Sequence, residues 1–327
     1  MVDEDGLLLE VEGLNVTYTG TALNVDAVRD VSLTMKKGEC VAIVGESGSG
    51  KSTLAMAIMK LLPPYARISA KKIEFSGLNI LELDDRRLSE VRGKDVTVIF
   101  QDPISYLNPI ISVGEQIMES VSSRNSKISK REAYAQAISL LEKVRIADPE
   151  RILKAYPFQL SGGMAQRVFI AMAISANPKL LIADEPTTAL DLTIQAQILR
   201  LLNMLRKEYS LSIMLITHDL GLASYMADRV YVMYDGQVVE EDTAEGIFEN
   251  PIHPYTKMLI ASSKAIYQGQ SEQLIQTLTQ KTAVKEARDV KGCSFMDRCF
   301  KAMEQCSNKP TFVKYDGTKK VRCWLGE

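Results

Sequence analysis

Cys40-Val41-Ala42-Ile43-Val44-Gly45-Glu46-Ser47-Gly48-Ser49-Gly50-Lys51-Ser52-Thr53 is the stretch on which the reading of this chain turns. Its first five residues are continuously apolar, as in a strand buried on both faces of a parallel sheet. Residues 45–52 then match G-x-x-x-x-G-K-[ST], and a helical pattern over 51–62 follows until Pro63-Pro64 stops it. Strand, glycine-rich turn and helix is the context that gives this motif its meaning. Glycines let backbone N–H groups close around phosphate oxygens, and the helix N-terminus adds a favourable dipole. Lys51 is placed to neutralise β- and γ-phosphate charge and the Ser52 hydroxyl to bind Mg²⁺. The competing reading, a glycine-rich turn that binds nothing, leaves the register of strand, helix, Lys51 and Ser52 unexplained.

Outward from that loop the same pattern recurs. Residues 7–18 and 28–35 read as strands, the second leading into the turn Lys37-Gly38-Glu39. Continuous apolar strands are expected at 96–100, 180–183 and 213–217, with a helix over about 193–208 between the last two. Strands separated by helices imply crossover units and a parallel sheet, so the fold class is α/β. Residues 230–234, Asp235-Gly236 and 237–240 read as a terminal hairpin. From 103 to 178 the pattern is mainly helical, as of a subdomain inserted in the sheet. A domain boundary is expected near Asn250, where Pro251 and Pro254 interrupt a helical context. The strand at 180–183 runs into Asp184-Glu185. Strand tips face the ligand crevice of an open α/β sheet, so Asp184 is read as a Mg²⁺ ligand and Glu185 as the general base that polarises water.

Composition narrows the classes. The 327 residues are 46% hydrophobic and 24% charged with a net charge of −2, which allows a sizeable core and gives no basic footprint for nucleic acid. No apolar run approaches the roughly 18–20 residues that span a bilayer; the best, near 198–205, is broken by Arg200 and Asn203. The acidic start Met1-Val2-Asp3-Glu4-Asp5 lacks the profile of a secretory signal. A cytoplasmic protein is expected, reaching any membrane process by docking to another chain.

Leu160-Ser161-Gly162-Gly163-Met164-Ala165-Gln166-Arg167, about twenty residues before Asp184, resembles the signature sequence of ABC ATPases. In the same order Gln101 matches the Q-loop, Ala189-Leu190-Asp191 the D-loop, and His218 the switch histidine. The resemblance covers roughly residues 7–250. It implies a P-loop NTPase with a RecA-like parallel core, an antiparallel β subdomain, an inserted helical subdomain and a small Cys-containing C-terminal extension. It implies ATP hydrolysis by two such domains paired head to tail. ATP would lie between one chain's residues Gly45, Ser47, Gly48, Ser49, Gly50, Lys51, Ser52 and Thr53 and the other chain's Ser161, Gly162 and Gly163. Tyr18 would stack on adenine. Ser52, Gln101 and Asp184 would serve Mg²⁺, Glu185, His218, Gln101 and Lys51 catalysis, and Asp191 the link between subunits. Non-transport ABC ATPases typically carry a long coiled coil or two tandem units, and a regulatory sensor would lack Glu185 or His218; this chain does neither.

The tail from Pro251-Ile252-His253-Pro254-Tyr255 resembles that of peptide-importer ATPases of the oligopeptide/dipeptide permease family. This divides the chain into 1–250 and 251–327. Cys293, Cys299, Cys306 and Cys323 are spaced C-x5-C-x6-C-x16-C, without the tight pairs usual for structural zinc. In that family the pattern ligates a [4Fe–4S] cluster; zinc competes, and free thiols are a third reading. Residues 281–327 hold 11 Lys and Arg against 6 Asp and Glu, a net of +5 that leaves −7 on residues 1–280. Cys40 reads as a core residue, and the stretch after Tyr267 has few prolines for the family. The family implies two transmembrane permease subunits, an extracytoplasmic solute-binding protein, a second ATPase subunit (copy or paralogue), and a place on the cytoplasmic face of the membrane. Cargo would be oligopeptides or dipeptides, with oligosaccharides or nickel as alternatives. The apolar segment 104–113, Leu107 included, is expected to help receive a permease coupling helix; the competing reading puts several of these side chains in the core of the helical subdomain.

Overall fold

The computed structural model describes residues 6–20, 24–124, 127–188, 190–267, 292–317 and 319–326. Ala189, the acidic first five residues and the proline-poor stretch after Tyr267 lie outside them. The chain divides into two compact units, residues 1–35, 40–81 and 217–327 forming one, and 36–39 with 82–216 the other.

In the first unit, Leu7–Thr19 pairs antiparallel with Ala66–Ser69 and with Lys72–Phe75, and Asn24–Lys36 lies on its other side. Leu9, Val11 and Gly13, then Leu14 and Val16, are buried, so two period-two runs mark covered faces with a shift between Gly13 and Leu14. A second sheet is built on Cys40–Val44, all five residues of which are buried. Arg229–Tyr234 runs parallel to it and turns back through Asp235-Gly236 into Gln237–Thr243. The expected hairpin is therefore present, but it is not terminal. Lys319–Val321 pairs antiparallel with Glu240–Glu241, and Val313–Asp316 pairs with Lys319–Val321 in turn. Two short strands of the tail thus extend the sheet. Ion pairs accompany them, a buried one from Lys319 to Asp242 at 3.2 Å and one from the half-buried Arg229 to the buried Glu241 at 3.0 Å.

The second unit holds three parallel strands in the order Ser212–Thr217, Leu180–Asp184, Val96–Ile99. The first two are buried throughout. Its helices Pro103–Tyr106, Val113–Arg124, Lys130–Lys143, Pro149–Lys154 and Gly162–Ile174 fill the region read as helical from sequence. Their starts are written locally. Asp102, Asp148 and Ser161 cap with their side chains, and Ser129 with Glu132 forms a capping box, each cap contributing about 1 kcal/mol. Leu192–Tyr209 follows, capped by Asp191, which accepts the Ile194 N–H at 3.0 Å.

Of the two readings of 104–113, the core reading holds for Leu107, whose expected part in docking is corrected here. Within 104–113, Leu107 is 2% exposed and belongs to the core, whereas Ile104, Tyr106 and Ile110 are 43%, 56% and 82% exposed. The buried Gln116 fixes this split: it accepts the Asn108 N–H at 2.9 Å and donates to the carbonyls of Asn108 and Ile111 at 3.0 Å each. A connector stitched on one side by an internal amide turns its other side outward.

Candidate active site

The strand Cys40–Val44 delivers the chain into the loop 45–50, and the helix Lys51–Ile58 begins immediately after it. Gly50 has φ +98°, and a Cβ there would lie 2.3 Å from the Ala27 carbonyl oxygen, so only glycine fits. The helix N-terminus has no side-chain cap and no acidic residue in its first turn. Its leading N–H groups and positive dipole end therefore favour an anion. Lys51 is buried and donates through Nζ to the carbonyls of Gly45 and Glu46 at 2.8 Å each. The Ser49 hydroxyl is buried with no hydrogen-bond partner among the described residues, an unsatisfied group that an anionic oxygen would complete. Tyr18 places its hydroxyl 3.2 Å from that of Thr53 and its ring 6.0 Å from Tyr65. The loop residues, Lys51, Thr53 and Tyr18 are thus gathered in one unit. His218 is in the same unit, exposed where the strand Ser212–Thr217 ends.

The second unit carries the carboxylates at the tip of Leu180–Asp184. Asp184 is buried. Glu185 takes a left-handed conformation, φ +47°, which costs a non-glycine residue of order 1–3 kcal/mol. Its N–H donates to the Ile216 carbonyl at 2.9 Å. Its Oε2 accepts from Thr188 Oγ1 at 2.8 Å and from Gln101 Nε2 at 3.1 Å. Gln101 and Glu185, predicted separately from sequence, are brought into contact. Thr188 was not predicted, although it lies three residues beyond the carboxylate it holds. Ser161 is exposed and caps Gly162–Ile174 by accepting the Met164 N–H at 3.3 Å, with no acidic residue in that helix's first turn.

Residues 28–188 match the family described as ABC transporter, and residues 239–306 match the oligopeptide/dipeptide transporter C-terminal region. The oligopeptide transport ATP-binding protein OppD of Bacillus subtilis (strain 168) is 47% identical over 97% of this chain and 88% of its own length. The chain belongs to the ABC transporter ATP-binding subunits of the oligopeptide/dipeptide importer family. A second relative of this importer ATPase is the dipeptide transport ATP-binding protein DppD of Haemophilus influenzae, 44% identical over 97% of this chain and 94% of that one. Among solved structures, the ATP-binding cassette MJ0796, a dimer in a post-hydrolysis state bound to ADP and Pi, superposes with a TM-score of 0.65. It is 30% identical and covers 72% of this chain and 99% of its own. The importer ATPase accordingly has the ABC ATPase fold and hydrolyses ATP. Among the described residues no helix is long and apolar enough to cross a membrane.

The four tail cysteines of the importer ATPase form no disulfide. Burial, then the neighbouring Cys293, Cys299 and Cys306, push the Cys323 thiol up to about 11; burial also raises Cys293 and Cys299. Cys299 and Cys306 sulfurs accept backbone N–H groups from Lys301 at 3.3 Å and Met303 at 3.5 Å. Thiols that raise one another's proton affinity need a cation in order to ionise together. As arranged, no group of three or more His, Cys, Asp or Glu side chains among the described residues could hold a metal ion.

Proposed function

We propose that this chain powers an importer for oligopeptides or dipeptides. It would act on the cytoplasmic face of the membrane, paired head to tail with a second ATPase chain on two permease subunits fed by an extracytoplasmic solute-binding protein. The observation that carries the peptide cargo is the match of residues 239–306 to the C-terminal region of oligopeptide/dipeptide transporters. Import of an oligosaccharide or nickel is the competing reading.

In this reading the N–H groups of residues 45–53 and the Lys51 ammonium hold the phosphates, Ser52, Asp184 and Gln101 serve Mg²⁺, and Tyr18 packs on the adenine. Glu185 takes the proton of the attacking water, and Gln101 and His218 orient that water and the γ-phosphate. Ser161, Gly162 and Gly163 of the second subunit close over the nucleotide, and Asp191 links the two. Because ATP touches both chains only when they are closed, it favours the closed state. Hydrolysis removes that differential affinity. Cys293, Cys299, Cys306 and Cys323 are assigned to a [4Fe–4S] cluster, which when bound would tie the tail together as thiolate–iron bonds.

Docking to the permease is assigned to the outward side of residues 104–113, now without Leu107. In the reconstituted transporter, Ile110→Asp is expected to cut uptake of labelled peptide at least about tenfold while ATPase stays within about threefold. Leu107→Asp, which buries an unpaired carboxylate, is expected to destabilise the fold by about 3–5 kcal/mol instead. Uptake of nickel or an oligosaccharide but no peptide would replace the cargo reading. Anaerobic purification is expected to yield about four iron and four sulfide per chain; one zinc without sulfide would replace the cluster.

A further inference from the structure

Glu46 is the second residue of the phosphate loop, and in the first unit all three of its polar groups are held. Its carbonyl accepts Lys51 Nζ at 2.8 Å. Its N–H donates to the Tyr255 hydroxyl at 2.8 Å. Its carboxylate receives both arms of the Arg298 guanidinium, Nη1 to Oε2 and Nη2 to Oε1, at 2.8 Å each. Two of the three tethers therefore come from the C-terminal segment, 209 and 252 residues away in the chain.

Both tethers are built into packed surroundings. Tyr255 is fully buried, and its ring centroid lies 4.7 Å from Tyr234 and 5.4 Å from Phe295. Tyr234 and Phe295 meet edge to face at 5.1 Å. The Arg298 guanidinium lies 5.7 Å from the ring centres of both Tyr234 and Phe295, which fixes its plane and leaves the fork aimed at Glu46. The buried His253 accepts the Tyr255 N–H through Nδ1 at 3.1 Å; burial pushes its imidazole down to about 3, so that acceptor stays unprotonated. None of this packing is needed to end a sheet. It converges on one residue of the loop.

We propose that Tyr255 and Arg298 are positioning residues for ATP binding, holding the Glu46 peptide so that its carbonyl anchors Lys51 and cancelling a carboxylate beside the incoming triphosphate. The inference rests on the reading of residues 45–53 as the phosphate loop. Loss of the fork leaves Glu46, 38% exposed in its side chain, as an uncompensated negative charge near an anionic ligand. Loss of the Tyr255 hydroxyl leaves the Glu46 N–H without its acceptor. Either change weakens the ground state and the transition state alike, so KM rises and kcat holds.

The test uses MgATP kinetics of the assembled transporter and binding of a fluorescent ATP analogue to the full-length chain. Arg298→Gln is expected to raise both KM and the analogue's Kd about tenfold, more at low salt than at high, with kcat within about twofold. Tyr255→Phe is expected to raise KM about three- to fivefold. The double variant Glu46→Gln/Arg298→Gln is expected to return to within about threefold of the parent, because no lone carboxylate remains. Should Arg298→Gln fail to fold, Arg298→Lys keeps the charge without the fork and is expected to raise KM about threefold. Unchanged KM and Kd with a lowered unfolding temperature would overturn the proposal, reducing both residues to structural ties. A drop in kcat at constant KM would overturn it equally. Lys51→Ala separates the two readings: if it leaves nucleotide binding intact, the phosphate-loop reading itself has failed.

Discussion

Replacing Glu185 with Gln lowers kcat for ATP hydrolysis by at least about a hundredfold and leaves ATP affinity within about threefold of the parent. The expectation follows from how this side chain is held. Its backbone is in a left-handed conformation and its N–H is fastened to Ile216. Thr188 and Gln101 both donate to the same carboxylate oxygen, Oε2. An amide in that place keeps an oxygen for those two donors, and the cost of the backbone conformation is unchanged. The other carboxylate oxygen becomes an NH₂ group, which cannot accept a proton from water. The loss is therefore chemical rather than structural, and a hundredfold corresponds to about 2.7 kcal/mol of transition-state stabilisation. Single-turnover hydrolysis in the assembled transporter measures it. A variant retaining more than about a tenth of the parental rate removes Glu185 as the base.

Much of this was legible because the signals are local. Five consecutive apolar residues at Cys40–Val44, the glycines after them and Lys51 stand side by side in the chain, and the structure keeps them as strand, loop and helix. The strand ending in Asp184-Glu185 and the hairpin at Asp235-Gly236 are local in the same sense. What the sequence concealed depends on pairing at long range. Lys319–Val321 spans three residues, too few to show a period, and it joins the sheet through backbone bonds to Glu240 and Glu241. That is why the hairpin was read as the end of the sheet. Leu107 and Ile110 are both apolar residues in a connector; only the buried Gln116 decides which is core and which is surface. The attachment of Tyr255 and Arg298 to Glu46 has no local signature at all. In sequence Pro254 reads as a break in a helical context, whereas a helix starts there, and the cysteines on either side of Arg298 draw attention to themselves rather than to it.

The gap between motif and mechanism is widest at Ser161-Gly162-Gly163, since their expected ligand is held by another chain. Under the proposed pairing, the setting of these residues in their own chain bears on the reaction. Ser161 caps a 13-residue helix whose first turn carries no acid, and Ser161 itself is exposed. A Cβ on Gly163 would lie 2.8 Å from Ile194 Cγ2, so the glycine lets this helix start lie close against the helix capped by Asp191. Ser161→Asp leaves that packing alone: Ser161 is exposed and is the N-cap, and the variant sets a carboxylate where the γ-phosphate of the partner's ATP is expected. Aspartate caps a helix as well as serine does and its charge favours the helix start, so the chain is expected to fold and to bind ATP within about threefold of the parent. The rate of hydrolysis is expected to fall about a hundredfold or more, as when a preorganised anion contact is lost. ATP-driven pairing is the sharper measurement. With Glu185→Gln present to slow turnover, ATP should drive the subunits together in size-exclusion chromatography, and adding Ser161→Asp should abolish that shift. Hydrolysis at the parental rate by a Ser161→Asp protein that never pairs would place the complete reaction centre within one chain, and the shared site would have to be abandoned.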